Sequence, residues 1–193
     1  IVWDTEKYTK KLNDIARVIA AIDSVNLPVI VGLAEVENIG VLKDLTSKTK
    51  LNEGKYAIAH FDSPDERGID VALLYRSEYF TPLHARPYPL IFDFDKDDRT
   101  RDLLYVKGMI GTDTLHLLIN HWPSRSGGKE KSDPKRQAAA IQVKTVVDSI
   151  FRFNAEANII IMGDLNDNPT DDNVSISLNA LRVAEHAKSD ELY

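Results

Sequence analysis

The sequence predicts a mixed α/β protein, because short apolar runs of strand length alternate with longer stretches in which apolar residues recur at the helical period. Three runs, at residues 29–34, 69–75 and 159–162, are almost wholly apolar and too short for helices. Such runs are typical of strands that are buried on both faces. Apolar residues spaced three and four apart over 4–22 and 133–153 predict amphipathic helices that cover these strands.

The composition of the chain is that of one globular domain. Its 193 residues can bury a substantial core, and hydrophobic and charged fractions of 43% and 28% are ordinary for such a domain. A net charge of −6 argues against a general role in coating polyanions, although it is compatible with a local basic groove. The absence of cysteine excludes disulfides and thiolate metal sites. No apolar run approaches the length of a membrane span, about 18 residues.

Two helices and a short strand are predicted around the first two buried runs. Asp4 or Thr5 can cap the first helix, and Asn38 can cap a second one over residues 39–49. Residues 56–60 form a short strand before a polar loop. The residues expected on the inward face of the first helix recur at spacings of four and three: Tyr8, Leu12, Ile15, Ile19 and Ile22.

An edge strand and a hairpin are predicted in the middle of the chain. Residues 79–102 are rich in proline, aspartate and arginine, which favours an edge strand followed by a long loop. Residues 103–110 and 114–120 are two arms of a hairpin that turns at Gly111-Thr112-Asp113.

A long helix is predicted to precede the last buried strand. Asp133 is a capping residue and Pro134 suits the first helical position, so the helix is expected to start there and to run to about residue 153. After Pro169 only a weak helical pattern remains, at residues 174–181.

Polar side chains follow the buried runs where a strand should end. Asp164 and Asn166 are two residues apart, so an extended backbone can aim both side chains the same way. A carboxylate and a carboxamide there can hold a divalent metal, a water molecule or a phosphate. The alternative is a simple turn, because Asp, Asn and Pro all favour turns. Glu35 ends the run at 29–34, where a carboxylate contributes nothing to packing, so it is predicted to be a ligand.

Two further residues are candidates for the same edge. Asp70 lies near the start of its strand, so it reaches that edge only if the strand is antiparallel to those ending in Glu35 and Asp164. Otherwise Asp70 is a structural hydrogen-bond partner. His121 follows a strand as Glu35 does, and an imidazole there can steady phosphate charge. His116 alternates within the strand and is predicted to be structural.

Arginines and a basic segment suggest an anionic substrate. Arg99 and Arg101 could bind phosphate, since a guanidinium matches phosphate oxygens, but salt bridges with neighbouring aspartates are the alternative. Residues 121–136 carry five cations, Arg125 among them, against two anions. This net charge of +3 suits an anionic substrate, and a solvated loop is the alternative.

The motifs in this order resemble the endonuclease/exonuclease/phosphatase superfamily, relatives of pancreatic deoxyribonuclease. Each motif is weak alone, but together they are specific and span residues 32 to 168. The matching stretches are Gly32-Leu33-Ala34-Glu35-Val36-Glu37-Asn38, Asp70-Val71-Ala72-Leu73-Leu74-Tyr75-Arg76, Asn120-His121-Trp122-Pro123-Ser124-Arg125 and Gly163-Asp164-Leu165-Asn166-Asp167.

The resemblance implies a four-layer α/β/β/α sandwich of two mixed β-sheets flanked by helices. It also implies Mg²⁺- or Mn²⁺-assisted attack of water on a phosphodiester, with a nuclease acting on DNA or RNA as the first expectation. Glu35 matches the metal-binding glutamate. Asp164 and Asn166 match the pair that orients water and phosphate, and His121 matches a phosphate contact. Asn120, Arg101 and Arg125 are expected to contact substrate phosphate, with Asp70 in support.

Two other functions are compatible with the same motifs. One is a phosphatase or sphingomyelinase-like activity on lipid or inositol phosphates, because loops select the substrate in this superfamily. The other is a binding module on the same fold without catalysis.

The chain also departs from the family pattern. No strand with a metal-proximal asparagine precedes the helix at Tyr8, and Ser189-Asp190-Glu191 stands where a Ser-Asp-His motif is expected. Residues 1–193 are therefore expected to be a single incomplete domain, truncated at both ends, with impaired activity and with open sheet edges that permit self-association. The chain begins at Ile1 rather than Met, so its compartment is not indicated, and a bacterial secreted or periplasmic location is compatible with it.

Overall fold

The computed structural model describes residues 4–23 and 25–180. In this part of the chain three α-helices and seven β-strands follow one another. The helices are α1 (Thr5–Ile22), α2 (Ile39–Ser47) and α3 (Lys129–Phe153). The strands are β1 (Ile30–Val36), β2 (Tyr56–His60), β3 (Asp70–Arg76), β4 (Phe80–Tyr88), β5 (Leu103–Ile110), β6 (Asp113–His121) and β7 (Asn158–Asp164). A 3₁₀ helix at Lys50–Gly54 and a π-helical turn at Asn173–Ser177 complete the described elements.

The strands form two sheets. The first has the order β1-β3-β2 and is antiparallel throughout. The second has the order β4-β5-β6-β7, in which β6 and β7 are parallel and the other pairs are antiparallel. Helix α3 makes the crossover that a parallel pair requires. Of the two sheets in the described residues, only the second is therefore mixed.

The helices cover the outer faces of both sheets, which confirms the four-layer sandwich. One apolar cluster joins α1 and α2 to the first sheet, with Leu12, Leu42 and Leu74 at its centre. A second fills the space between the sheets. A third joins the second sheet to α3 through residues such as Leu118 and Val147. Each sheet is thus buried on both faces, as its near-continuous apolar strands require.

The two sheets approach closely where β1 crosses β7. A Cβ on Gly32 would lie 2.5 Å from Met162 Sδ, so a larger residue at position 32 would require the Met162 side chain to move. This contact brings together the strands that end near Glu35 and Asp164.

The helix caps confirm part of the sequence prediction. Asp4 caps α1 by accepting from Lys7 N at 2.9 Å, and Asn38 caps α2 by accepting from Val41 N at 3.1 Å. Ile22 was wrongly assigned to the inward face of α1, because 72% of it is exposed at the last turn.

The predicted start of α3 was also wrong. The helix begins at Lys129, and Pro134 lies inside it. Asp133 does not cap, because its carboxylate accepts from Arg136 and Asn173, each at 3.0 Å. These partners, one in the next turn of the helix and one 40 residues away, replace the capping role that its position suggested.

The strands predicted in the middle of the chain are present, and the last helical pattern is present in part. The edge strand, the long loop and the hairpin are confirmed by β4, β5 and β6. The weak helical pattern at 174–181 corresponds to the π-helical turn and residues up to 180, while Ser189-Asp190-Glu191 lies outside the described residues. None of the helices in 4–23 and 25–180 is long and apolar enough to cross a membrane.

The exposed edges of the described sheets are formed by β1, β2, β4 and β7. Pro82 and Pro87 on β4 lack backbone N–H donors, which weakens that edge as a template for another strand. Self-association through the open edges stays a prediction.

Candidate active site

Glu35 is the extra residue of a β-bulge at the end of β1. Ala34 pairs with Val71 and Val36 pairs with Asp70, so Glu35 has no partner of its own on β3. Its φ of 58° places a non-glycine residue in the left-handed region, which costs of the order of 1–3 kcal/mol. Its side chain is exposed. Bulges of this kind redirect a side chain and recur beside active sites.

His121 and Asp164 end the parallel strands β6 and β7 side by side. They are register partners, and the next residue, Trp122, donates its backbone N–H to the carbonyl oxygen of Asp164 at 2.9 Å. Gly163 makes this approach sterically feasible. It has a φ of 131°, and a Cβ there would overlap the carbonyl oxygen of Asn120.

Asp164 and Asn166 form a turn and present polar groups at the same time. Asn166 donates its backbone N–H to Asp164 Oδ1 at 2.8 Å and its side-chain amide to the Trp122 carbonyl at 3.0 Å. Asn166 has a φ of 52°, a conformation that asparagine tolerates better than most residues. The turn therefore fixes the positions of Asp164 and Asn166.

The imidazole of His121 interacts with both candidate carboxylates. Burial lowers the pKa of His121, and the positive charge of Arg101 lowers it further. The negative charges of Asp164 and Glu35 act on the same ring in the opposite direction, followed by a smaller lowering from Arg67. The charges of an acid from the first sheet and an acid from the second thus act on one buried imidazole. We call the group of Glu35, His121, Asp164 and Asn166 the mouth.

Asp70 lies at this end of the first sheet, because β1 and β3 are antiparallel and Asp70 pairs with Val36. The strand of Asp70 is thus antiparallel to the strand that ends near Glu35, as the prediction for Asp70 required. Its carboxylate is nevertheless engaged: it accepts from Ser63 N at 2.8 Å, from Ser63 Oγ at 2.6 Å, and meets His60 Nε2 at 2.9 Å. Asp70 is both at the predicted edge and a structural hydrogen-bond partner.

Asn120 and Arg101, which were expected to contact phosphate, are bonded within the protein, and Arg125 is as well. Asn120 donates to the Leu118 carbonyl at 3.0 Å and accepts from the Trp122 indole at 3.1 Å. Arg101 is buried; it pairs with Asp65 at 2.9 Å and donates to the Trp122 carbonyl at 2.7 Å. The salt-bridge alternative for Arg101 therefore holds, with Asp65 rather than a sequence neighbour as partner.

Arg125 ties two loops together. Its guanidinium donates to the Asn166 carbonyl at 2.7 Å and pairs with Asp171 at 2.7 Å and Asp167 at 3.2 Å. Asp167 in turn pairs with Arg136 at 2.8 Å. This network fixes the segment that carries Asp164 and Asn166.

Four residues near the site were not anticipated: His60, Asp65, Asp102 and Asp167. Burial, together with the negative charge of Asp70, raises the pKa of Asp102 to about 6. The predicted hairpin could have revealed Asp102, because continuing its pairing by two residues places 102 opposite 121. The others depend on contacts between distant segments, for which the sequence has no local signal.

The donors at the mouth fit a hard divalent cation. Glu35 and Asp164 offer carboxylate oxygens and Asn166 an amide oxygen, which are the ligands that Mg²⁺ and Mn²⁺ prefer. A second group that could hold a metal consists of His60, Asp62 and Asp70, whose ligand atoms lie within 4.8 Å of one another. Asp62 is 89% exposed at its side chain, whereas the other two are buried.

A sequence model described as Endonuclease/Exonuclease/phosphatase family matches residues 1–193. The chain belongs to this family. Its members hydrolyse phosphoesters and are generally dependent on divalent metals. No curated protein sequence matches the chain.

Solved structures show the same fold at low sequence identity. The human Nocturnin catalytic domain with bound sulfate has a TM-score of 0.67 and 20% identity, with 90% of this chain and 63% of that one covered. A Bacteroides thetaiotaomicron mannosyl-6-phosphatase has a TM-score of 0.65 and 15% identity over 89% and 61%. TDP2 of D. rerio in complex with a single-strand DNA product has a TM-score of 0.59 and 20% identity over 86% and 58%. The chain thus spans about six-tenths of the length of these proteins.

Proposed function

We propose that this protein is a nuclease that hydrolyses phosphodiester bonds with the help of Mg²⁺ or Mn²⁺. The observation that carries the proposal is the position of three strand ends: His121 lies beside Asp164 in the register of β6 and β7, and the contact of Gly32 with Met162 packs the strand that carries Glu35 against β7. The negative charges of Glu35 and Asp164 both act on the buried imidazole of His121. Family membership supports phosphoester hydrolysis in general.

Each residue at the mouth has a distinct role in this proposal. Glu35 and Asp164 would hold the cation, which polarises a phosphoryl oxygen when bound. Asp164 and Asn166, fixed by their turn, orient the attacking water and the phosphate. His121 donates to a phosphoryl oxygen as negative charge develops there. Arg101 and Asn120 keep the loop after β6 in place through Trp122.

A cleft beside the mouth supports a nucleic acid as the substrate. It has a volume of about 510 Å³, and Arg101 and Pro123 form part of its wall. Its lining includes the exposed cations Arg67, Arg99 and Lys131, together with acidic residues, several of which are paired with cations: Asp65, Glu66, Asp95 and Asp98. Phe94 also lines the cleft and is 59% exposed. Cations for the backbone and an aromatic ring for a base are the combination that binds single strands.

The proposal is tested by hydrolysis of labelled single-stranded DNA, single-stranded RNA and a model phosphodiester with Mg²⁺, with Mn²⁺ and with EDTA. We expect metal-dependent cleavage at the reduced rate that the sequence predicts, and Glu35→Gln and Asp164→Asn should each lower this rate further by about 100-fold or more. Lys10→Gln, on the far surface of α1, is the matched control and should leave the rate unchanged. Equal rates in EDTA and Mg²⁺ would contradict the proposal.

A phosphatase or sphingomyelinase-like phosphoesterase is the second candidate, and the structural similarity to the mannosyl-6-phosphatase favours the phosphatase. Assays with a sugar phosphate, an inositol phosphate and sphingomyelin distinguish it from a nuclease. If the protein binds Mn²⁺ through Glu35 but hydrolyses none of these compounds, a binding module is the better description.

A further inference from the structure

The backbone carbonyl of Trp122 accepts hydrogen bonds from two side chains that belong to different segments of the chain. Arg101 Nη2 donates to it at 2.7 Å, and Asn166 Nδ2 donates to it at 3.0 Å. The backbone N–H of Trp122 donates to the carbonyl oxygen of Asp164 at 2.9 Å. Trp122 is therefore the residue at which the segment before β5 meets the loop after β7.

The Trp122 carbonyl determines the orientation of the Asn166 carboxamide. A carbonyl oxygen only accepts hydrogen bonds, so it has to face the Nδ2 side of the amide. The Oδ1 atom then accepts no hydrogen bond from the residues that the structure describes. Asp164 and Arg125 bind the backbone N–H and carbonyl of Asn166, whereas the bond to Trp122 holds its side chain. The amide oxygen is thus left for a water molecule or a hard cation.

Arg101 is itself fixed by a buried ion pair. Its Nη1 atom lies 2.9 Å from Asp65 Oδ2, and each of the two side chains is 4% exposed. The other carboxylate oxygen of Asp65 accepts from the backbone N–H of Arg67 at 3.0 Å. Asp65 belongs to the loop between β2 and β3. A continuous chain of polar contacts therefore runs from a loop of the first sheet through Arg101 and Trp122 to Asn166.

We propose that Arg101 is a positioning residue for Asn166, and that it acts by holding the Trp122 carbonyl in the orientation that receives the amide. A hydrogen bond from a charged donor is roughly twice as strong as a neutral one, so the guanidinium restrains this peptide group firmly. Asp65 is a second positioning residue, because it fixes the guanidinium. The effect on catalysis rests on the proposed function of the mouth, whereas the orientation of the amide does not.

This role differs from a direct contact between Arg101 and a substrate phosphate. Nη1 and Nη2 are both bonded within the protein, and the side chain has almost no exposed surface. Loss of a positioning residue lowers kcat, whereas loss of a contact that only binds the substrate raises KM. Kinetic constants therefore separate the two roles.

Hydrogen exchange of the Asn166 side-chain amide tests the orientation without turnover. The signals are observed in ¹⁵N-labelled protein and are assigned by their loss in Asn166→Asp. In the double variant Arg101→Met/Asp65→Asn, which leaves no unpaired charge buried, we expect exchange to be about 10-fold faster than in the wild type. Arg101→Lys keeps the charge opposite Asp65 but loses the forked geometry, so an intermediate rate is expected. Arg67→Gln is the matched control: it removes the exposed guanidinium at Asp65 and should leave the exchange rate unchanged.

Turnover of a phosphodiester is the second readout. Arg101→Met/Asp65→Asn should lower kcat by about 10- to 100-fold with little change in KM. In an Asn166→Ala background the same two substitutions should have little further effect on kcat, because the residue that Arg101 positions has been removed.

Three results would each overturn the inference: an unchanged exchange rate in the folded double variant, a raised KM with an unchanged kcat, or an equal loss of kcat in the Asn166→Ala background. Circular dichroism establishes whether the double variant folds. If it does not fold, Arg101→Lys decides, and a wild-type exchange rate in that variant overturns the inference. If the protein hydrolyses no phosphodiester but the exchange rate responds as expected, the proposed function fails and the positioning of Asn166 stands.

Discussion

Arg136 and Asp167 form an ion pair in which neither side chain has any exposed surface. Arg136 Nε lies 2.8 Å from Asp167 Oδ1, and Asn173 donates to the other carboxylate oxygen at 2.7 Å. The pair joins α3 to the loop that follows β7, which carries Asn166.

Removal of one partner should therefore destabilise the fold strongly. In Asp167→Ala the buried guanidinium of Arg136 loses one of the carboxylates that accept its hydrogen bonds. We expect the free energy of unfolding to fall by about 3–5 kcal/mol. Thermal or urea unfolding measures it. Asp14→Ala breaks exposed ion pairs on α1 and is the control, with an unchanged Tm expected. Equal Tm values for the two variants would mean that the buried ion pair stabilises the fold no more than the exposed ion pairs do.

Gly163→Ala tests the close approach of β6 and β7. The new methyl group would meet the Asn120 carbonyl, and φ is 131°, so steric overlap adds to backbone strain. Gly111→Ala is the matched control, because Gly111 also has positive φ, 60°, but no atom lies within 4 Å of its Cβ position. The control should cost about 1–2 kcal/mol, and Gly163→Ala clearly more. Urea unfolding of both variants gives the comparison, and equal costs would contradict the steric argument.

Glu35→Gly should separate stability from function. Glycine adopts a φ of 58° without strain, so we expect a gain of about 1 kcal/mol in the free energy of unfolding. Loss of the carboxylate should abolish Mn²⁺ binding at the mouth, measured by titration calorimetry. Glu35→Gln keeps the strain and loses the charge, so it should lose metal binding without gaining stability. A glycine variant that is less stable than wild type would show that the bulge is not strained.

The pH dependence of stability should reveal Asp102. Its pKa is about 6 in the folded protein and 3.8 in the unfolded reference, so the folded state binds more protons between these values. The contribution of this carboxyl group to the free energy of unfolding is therefore greatest below pH 4. It falls as the pH rises towards 6 and is constant above about pH 7. Asp102→Asn lacks this dependence. The difference in Tm between the wild type and Asp102→Asn should therefore favour the wild type more at pH 4 than at pH 7.5. The same difference at both pH values would contradict the raised pKa.

Local sequence patterns were sufficient to predict several helices and strands and the polar residues at which strands end. Apolar runs predicted β1, β3 and β7, and capping residues predicted the starts of α1 and α2. Glu35, His121 and Asp164 could be proposed because each directly follows or ends such a run. These features depend on neighbours in the chain, so the sequence displays them.

The features that escaped prediction depend on partners far away in the chain. Asp133 is a good helix cap by itself, but its carboxylate accepts a hydrogen bond from Asn173, 40 residues away. Arg101 was placed among phosphate ligands, and its partner Asp65 lies 36 residues away. The bulge at Glu35 follows from the register of two paired strands, which no single strand specifies.

The contact between Gly32 and Met162 makes the spacing of the two sheets sensitive to oxidation. Conversion of the thioether to a sulfoxide adds an oxygen atom and polarity at a contact where the two sheets lie close together. We expect oxidation there to push β1 away from β7 and so to separate Glu35 from Asp164 without altering either acid. For the proposed cation site, this predicts that ageing of the protein in air lowers the cation affinity and that a methionine sulfoxide reductase restores it.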